Sequence, residues 1–148
     1  MYKKILFPGS FDPFTIGHYR LIERALWVFD EVIIAIGNNT NKKTMFTLVD
    51  RLNDINNIYK NNLKVSVKPY DTLTMDFCQK TGIGLILRGI RNIKDFEYEK
   101  NIADINRKLS DIETIFIVSE PEYAHISSSL VRELIIYNKD ISNLIPKV

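Results

Sequence analysis

The sequence predicts an α/β protein: a doubly wound, five-stranded parallel sheet with helices on both faces, formed by a single domain. A chain of 148 residues supplies one sizeable core and leaves little for a second. Strand-like apolar runs alternate with helical patterns, which is typical of βαβ units. Runs such as 32–36 and 85–87 are continuously apolar, as in parallel strands that helices cover on both faces.

The predicted strands are short apolar runs bounded by turn-forming residues. Asn-rich patches at 38–41 and 61–62 mark turns between elements. No repeat, linker or long block of charge interrupts the alternation. The five predicted strands are residues 3–7, 31–37, 63–69, 83–88 and 112–119.

The first two helices follow from their apolar spacing and from their starts. In the first, about 16–29, apolar residues recur with a 3.6-residue period while charged residues fall outside. The second begins at Thr47, and Asp50 three residues later completes a capping box. The residues expected in the core are Leu21, Ile22, Ala25, Leu26 and Phe29 from the first helix, and Leu48, Leu52, Ile55 and Tyr59 from the second.

Three further helices are predicted. Asp71 or Thr72 caps a short third helix that runs through Cys78 and ends at Gly82, since glycine commonly terminates helices. The last helix follows the serine run at 127–129. The fourth helix runs from Asn92 to about Leu109, and the residues that it is expected to bury are Phe96, Ile102, Ile105 and Leu109.

Composition excludes several classes of protein. A formal charge of +2 is too small for a nucleic-acid stripe, and basic and aromatic residues do not interleave, so no nucleic-acid partner is expected. The single cysteine, Cys78, excludes an internal disulfide, and with His18 and His125 it is too scattered for zinc. No apolar stretch approaches the roughly 20 residues that span a bilayer. Without a signal-peptide core, a cytoplasmic location and no membrane partner are expected.

The loop after the first strand, residues 8–18 (PGSFDPFTIGH), is the candidate for a phosphate site. Pro8 and Pro13 exclude a helix interior, so a shaped loop leads into the first helix. Thr15 is the predicted N-cap, which leaves first-turn amides free to bind an anion. Gly17 has no side chain to block that approach. An ordinary capped helix after a Pro-rich connection remains the alternative.

His18 falls in the first turn of that helix. The positive end of the helix dipole disfavours imidazolium, so the pKa of His18 is expected to lie below its ordinary value until a phosphate arrives. We therefore expect His18 to act as a hydrogen-bond donor to phosphate and not as a base.

Arg88 and Arg91 follow the fourth predicted strand. Ligands of an open α/β sheet bind beyond the carboxyl ends of the strands, where the winding direction reverses. Two guanidiniums with Gly89 between them suit phosphate oxygens, because glycine lets the backbone approach. The alternative is a pair of solvated arginines that balance the charge of the acidic residues at 95–99.

Two more clusters fall on the same edge of the sheet. Lys42 offers a flexible positive charge after the second strand, although most surface lysines are only solvated. The serines at 127–129 open the last helix with hydroxyls and free amides, which predicts a second anion site facing the first. A serine acting only as a cap is the alternative. Asp95 and Glu99 share a helix face and could equally be a solvated acidic face.

At Thr15 to His18 the chain resembles nucleotidyltransferases with a [T/H]-x-G-H signature. Together with the Lys42 loop, RGIRNIKDFEYE at 88–99 and ISSSLVRE at 126–133, the first loop resembles the bacterial phosphopantetheine adenylyltransferase family. That resemblance implies a Rossmann-like domain spanning 1–148. It also implies transfer of AMP from ATP to 4′-phosphopantetheine, with magnesium, giving dephospho-coenzyme A and pyrophosphate. The chain departs from the family pattern at Ser10, usually Thr, and at Ala124-His125, usually Ser-Phe.

The resemblance also implies roles for individual residues. His18 would be the catalytic residue, which contacts the α-phosphate and stabilises its transition state. Ser10, Lys42, Thr74 and Arg88 would receive phosphopantetheine. No protein metal ligand is implied, since phosphates and water can hold magnesium. The residues that the resemblance assigns to ATP are Ser10, Phe11, His18, Gly89, Ile90, Arg91, Glu99, Tyr123, Ala124, His125, Ile126, Ser127, Ser128 and Ser129.

Assembly as a homohexamer is likewise expected by resemblance alone. Two other functions remain open at this point. A sister enzyme, such as an NMN adenylyltransferase or a glycerol-3-phosphate cytidylyltransferase, would use the same loop and serine helix. A non-catalytic nucleotide-binding module would bind the anion without turnover.

Overall fold

Strands and helices alternate without exception along the chain. The computed structural model describes all residues, Met1–Val148. Each predicted strand is present to within two residues at either end. The elements are β1 (Lys4–Gly9), α1 (Ile16–Ala25), β2 (Glu31–Gly37), α2 (Leu48–Tyr59), β3 (Val65–Tyr70), α3 (Thr74–Thr81), β4 (Leu85–Ile90), α4 (Ile93–Ser110), β5 (Glu113–Val118) and α5 (Ser128–Ile136).

The sheet is parallel throughout, with strand order β3-β2-β1-β4-β5, so the predicted doubly wound fold is confirmed. The winding direction reverses between β1 and β4. These two strands pair only at Leu6 and Ile86, whereas the other neighbours pair along their whole length. A crevice at the carboxyl ends of β1 and β4 is therefore where a ligand is expected.

Each face of the sheet has its own apolar core, because successive strand residues point to opposite sides. On one face, Phe7 clusters with Ile22 of α1 and Ile55 of α2. On the other, Leu6 clusters with Cys78 of α3. Cys78 is fully buried, and burial raises the pKa of its thiol to about 11. The predicted covering of both faces is thereby confirmed.

The starts of α1 and α2 are fixed by the predicted caps. The hydroxyl of Thr15 accepts a hydrogen bond from the amide of His18 at 3.4 Å. At α2, the Thr47 hydroxyl accepts from the Asp50 amide at 3.1 Å, and the Asp50 carboxylate accepts from the Thr47 amide at 3.3 Å. Both helices thus begin at the residues that the sequence indicates.

The predicted end of α1 was wrong. The helix ends at Ala25, and the following residues form tighter turns in which Trp27 donates to the carbonyl of Arg24 and Val28 to that of Ala25. These i→i−3 bonds still carry Phe29 into the core while they leave Trp27 exposed. The apolar pattern of the segment was therefore right and its helical form was not.

The predicted cap of α3 was also wrong. Leu73 occupies the N-cap position, and no side chain caps the helix. Thr72, one of the two expected caps, instead donates to the carbonyl of Leu73 at 3.2 Å. The first helical residue, Thr74, hydrogen-bonds through its hydroxyl to that of Tyr70 at 3.0 Å. The start of α3 therefore has a side-chain hydrogen bond to Tyr70 of β3, and it lacks the cap that was expected from Asp71 or Thr72.

Gly82 ends α3, as predicted, and it adopts the left-handed conformation with φ of 69°. A Cβ at Gly82 or at Gly84 would meet no atom within 4 Å, but only Gly82 has a positive φ. Gly82→Ala is therefore expected to lower the free energy of unfolding by about 1 kcal/mol. Gly84→Ala is expected to be neutral or slightly stabilising. Urea unfolding of both variants tests this, and equal losses would contradict it.

The expected burial of the α4 apolar residues was wrong. Phe96, Ile105 and Leu109 are 44%, 53% and 65% exposed, and Ile102 is 37% exposed. Glu99 and Asn106 are buried instead, and both face the crevice. A 3.6-residue period shows that a helix has two faces, but not which one the fold covers.

No helix, α4 included, is long and apolar enough to cross a membrane.

Candidate functional site

A two-lobed crevice opens at the carboxyl ends of β1 and β4. The His18 lobe, of about 580 Å³, lies between the first turn of α1 and the start of α5. The Thr74 lobe, of about 930 Å³, lies between the loop after β2 and the faces of α3 and α4. The lobes form one continuous crevice because they share seven lining residues: Pro8, Gly9, Ser10, Lys42, Arg88, Tyr98 and Glu99.

His18 lines the His18 lobe as a neutral imidazole. Its Nδ1 accepts a hydrogen bond from the backbone N–H of Thr15 at 2.9 Å, so this tautomer, inferred from the hydrogen bond, carries the proton on Nε2. The pKa of His18 is lowered to about 3, chiefly by burial against the rings of Phe11 and Phe14 and then by the positive charges of Arg88 and Arg91. The expected direction is confirmed, although burial is the largest cause. His18 can donate from Nε2.

The lowered pKa of His18 makes stability depend on pH. The unfolded chain binds a proton at His18 below about pH 6.5, whereas the folded chain does so only near pH 3. The unfolded state therefore holds more protons in this window, and the free energy of unfolding should fall as pH drops from 6.5 towards 3. In His18→Asn this contribution should disappear. Urea unfolding at pH 7, 5.5 and 4.5 measures it, and parallel pH curves for both proteins would contradict it.

Arg88 lies where the two lobes meet. Its Nε and Nη2 donate to both carboxylate oxygens of Glu99 at 2.7 and 2.6 Å, and its Nη1 donates to the carbonyl of Pro8 at 2.8 Å. Arg91 pairs with Asp95 in the same way, at 2.9 Å from Nε. Each arginine is therefore paired with an acidic residue and also lines the crevice, and binding of phosphate by the two arginines stays a prediction. The acids fix the guanidiniums in place.

Lys42 reaches across the crevice to the first loop. Its Nζ donates to the hydroxyl of Ser10 at 2.9 Å. Asp12 of the first loop makes a second contact with the loop after β2, because its carboxylate oxygens accept hydrogen bonds from the amides of Met45 and Phe46 at 2.9 Å each. The loop after β2 is therefore held over the first loop at two points, near its middle and near its end.

The serine turn faces His18 across the His18 lobe. Ser127 caps α5 by accepting from the Leu130 amide at 3.1 Å. Ser128 donates to the carbonyl of Pro13 at 2.8 Å, which ties the start of α5 to the first loop. Two helix N-termini consequently converge on one cavity, the arrangement that the sequence predicted for an anion.

The structure brings most of the predicted site residues together. Thr74 lines the other lobe, as a separate substrate wall would require. Ile90 is buried, and neither Ala124 nor the exposed His125 lines a lobe. Whether any of these residues binds ATP stays a prediction. Those that line the His18 lobe are Ser10, Phe11, His18, Lys42, Arg88, Gly89, Arg91, Glu99, Tyr123, Ile126, Ser127, Ser128 and Ser129.

Sequence reasoning missed three charged residues that build the crevice. Asp12 and Arg51 are only 4% and 3% exposed. Arg132 of α5 donates to the carbonyl of Asp12 at 2.7 Å and to the hydroxyl of Ser129 at 3.2 Å. Arg51 left a signal, because it lies three residues after Leu48 and thus falls on the apolar face of α2. The other two left none beyond their places in the motifs.

Comparisons with known proteins agree with this geometry. Residues 6–134 match the protein family described as cytidylyltransferase-like, which places the chain among the nucleotidyltransferases. Among solved structures, a bifunctional NMN adenylyltransferase/ADP ribose pyrophosphatase from Francisella tularensis superposes with a TM-score of 0.76 at 17% identity. The match covers 98% of this chain and 45% of that one. A putative nicotinate-nucleotide adenylyltransferase from Vibrio parahaemolyticus gives 0.65 at 20%, covering 99% and 95%. At such identities these two structures support the fold alone.

Curated relatives are much more similar in sequence. Phosphopantetheine adenylyltransferase of Bacteroides thetaiotaomicron is 57% identical over 98% of this chain and 96% of its own length. The proteins of that name from Bacteroides fragilis and Oenococcus oeni are 53% and 44% identical, over 98% and 97% of this chain and 97% and 92% of theirs. The chain belongs to the phosphopantetheine adenylyltransferase family.

Proposed function

We propose that this protein transfers AMP from ATP to 4′-phosphopantetheine, giving dephospho-coenzyme A and pyrophosphate. The observation that carries the proposal is the crevice itself. Two lobes of different character meet at Ser10, Lys42 and Arg88, and one of them lies under two helix N-termini. The names of the curated relatives point to the same reaction.

ATP is proposed to occupy the His18 lobe. The serine turn and Arg91 would contact its β- and γ-phosphates, and His18 would reach the α-phosphate from the opposite side. Amides at the start of α5 and the positive end of its dipole favour such an anion. Tyr123 and Ile126, which line this lobe, would hold the adenine. The departures at Ala124 and His125 leave the lobe intact, since neither residue lines it.

Phosphopantetheine is proposed to occupy the Thr74 lobe. Its phosphate would sit at Lys42, Ser10 and Arg88, where the lobes join. The rest of the lobe mixes apolar and polar groups, as an arm of methylenes and amides requires. The Thr114 hydroxyl, for instance, is buried without a hydrogen-bond partner, and the buried Asn106 also lines the lobe.

The proposed reaction is a direct in-line displacement. An oxygen of the acceptor phosphate forms a bond to the α-phosphorus of ATP, while the bond from that phosphorus to the bridging β-oxygen breaks and its electrons leave with pyrophosphate. With a pKa of about 3, His18 stays neutral and donates from Nε2 to the charge that develops on the α-phosphate. Alignment of two anions supplies the rest, so no covalent intermediate is required.

Magnesium is proposed to arrive with ATP. No group of three His, Cys, Asp or Glu residues forms a metal site in the structure. The three carboxylates that line the His18 lobe already have partners: Asp12 binds two amides, and Asp95 and Glu99 bind arginines. These residues fit an ion held chiefly by phosphate oxygens and water, whose charge would offset that of the triphosphate.

The test is pyrophosphate release from magnesium, ATP and 4′-phosphopantetheine. Parallel reactions replace the acceptor by NMN, or supply CTP with glycerol 3-phosphate. Release with phosphopantetheine at least about 100-fold faster than with either alternative is the expected result. Faster turnover of another acceptor would assign a sister activity. ATP binding without pyrophosphate from any mixture would favour a non-catalytic module.

We also propose that the protein assembles as a homohexamer and acts in the cytoplasm. The exposed apolar face of α4, which includes Phe96, Ile105 and Leu109, supports self-association. So does the neighbouring Val118 on the edge strand β5, which is 65% exposed. Light scattering coupled to size-exclusion chromatography measures the mass, and a monomer of 17.2 kDa at micromolar concentration would contradict the assembly.

A further inference from the structure

Arg51 of α2 is a buried cation that makes no ion pair. Its side chain reaches the Thr74 lobe although the residue is only 3% exposed. Nη1 donates to the carbonyl of Ser10 at 2.7 Å and to that of Gly37 at 3.2 Å, and Nε donates to that of Thr47 at 3.4 Å. None of the salt bridges in the structure includes it.

A buried charge without a carboxylate requires compensation. Carbonyl oxygens accept hydrogen bonds from Nε and Nη1 of Arg51, but these dipoles carry no net charge. The acidic group that most favours its charged form is Asp12. That carboxylate lies outside salt-bridge distance of Arg51, accepts from the amides of Met45 and Phe46, and has Arg132 at 3.9 Å. Arg51 therefore leaves positive potential at this end of the crevice.

The three carbonyls that Arg51 binds belong to three segments of the site. Ser10 follows β1, Gly37 ends β2 and Thr47 caps α2. One guanidinium thus fixes the first loop against the loop that carries Lys42. Since Lys42 donates to the Ser10 hydroxyl, the position of Ser10 also sets the position of the Lys42 ammonium.

The other cations at this end are weaker sources of charge. Arg88 is neutralised by the bidentate contact with Glu99, and Lys42 is exposed, where solvent and salt screen its field. A buried charge is screened much less. Of these three cations, Arg51 is consequently the one whose charge is least screened at an anion bound near Ser10.

We propose that Arg51 is a positioning residue for the acceptor phosphate: its uncompensated charge selects a phosphorylated acceptor, and its guanidinium holds Ser10 and Lys42 where that phosphate binds. The inference rests on the proposed function, because it takes the acceptor phosphate to lie at Ser10. Arg51 acts through the field and through Ser10, not as a ligand of the reacting atoms.

The test compares two ligands that differ only in the phosphate. Calorimetry gives the Kd of 4′-phosphopantetheine and of pantetheine for wild type, Arg51→Gln and Arg51→Lys, and circular dichroism confirms that each is folded. We expect Arg51→Gln to lower the preference for the phosphorylated ligand by about 10-fold while the Kd of pantetheine changes little. Arg51→Lys keeps the charge and should keep the preference within about 3-fold. The matched control is Lys100→Gln, which removes one positive charge from an exposed pair with Asp104 outside the crevice and should change neither Kd.

Each outcome decides the matter. An unchanged preference in Arg51→Gln, or an equal loss of affinity for both ligands, overturns the inference, because the residue would then be structural only. If Arg51→Gln fails to fold, loss of the preference in Arg51→Lys overturns it in the same way. A wild-type protein without any preference for phosphopantetheine overturns the proposed acceptor and the inference together. If the wild type does prefer phosphopantetheine, the Arg51 variants test the role of Arg51 separately from the proposed acceptor.

Discussion

Replacing His18 by Asn is expected to lower kcat for pyrophosphate formation by roughly 10²- to 10³-fold with little change in the KM of either substrate. That is the usual loss when one preorganised donor to a developing oxyanion is removed. The Oδ1 atom of Asn can still accept the Thr15 amide that Nδ1 of His18 accepts at 2.9 Å, so the helix start should survive. What Asn lacks is the Nε2 donor.

The variant His18→Gln makes the opposite change. The amide nitrogen of Gln can lie close to the position of Nε2 and donate from there. The Gln side chain has no acceptor at the position of Nδ1, so the Thr15 amide loses its hydrogen bond. We expect Gln to retain more kcat than Asn and to be less stable to urea. Steady-state kinetics and urea unfolding of both variants separate the two nitrogens. An Asn variant as active as wild type would exclude His18 from the chemistry.

Much of the site could be predicted because it lies in continuous segments. The loop 8–18, the arginine pair after β4 and the serine turn are each short, and parallel strands necessarily bring their carboxyl ends to one edge. The lowered pKa of His18 was predicted from the helix dipole, yet burial among Phe11 and Phe14 contributes more. That contribution depends on rings packed in three dimensions, which local sequence does not specify.

Side-chain partners were the part that sequence could not settle. Arg88 could have been solvated, bound to phosphate or paired, and only the approach of α4 to β4 decides that Glu99 reaches it at 2.6 Å. The same approach turns the apolar residues of α4 outward and buries Asn106. The prediction for α4 assumed that the apolar face of a helix always packs against the core of its own chain. In α4 that face is exposed on the surface of the single chain, so the assumption fails.

Replacing Arg88 by Met is expected to abolish turnover and to lower the free energy of unfolding by about 3–5 kcal/mol. The stability loss arises because Glu99, with a side chain only 9% exposed, is left as an unpaired buried charge. In the double variant Arg88→Met/Glu99→Met, an apolar pair replaces the ion pair, and most of the stability should return. Activity should stay at least about 100-fold below wild type, because the guanidinium at the junction of the lobes is still missing. Urea unfolding and kcat/KM for both proteins complete the comparison. Recovery of activity together with stability would mean that Arg88 only neutralises Glu99, and the acceptor phosphate would then have to be bound by Lys42 and Ser10 without it.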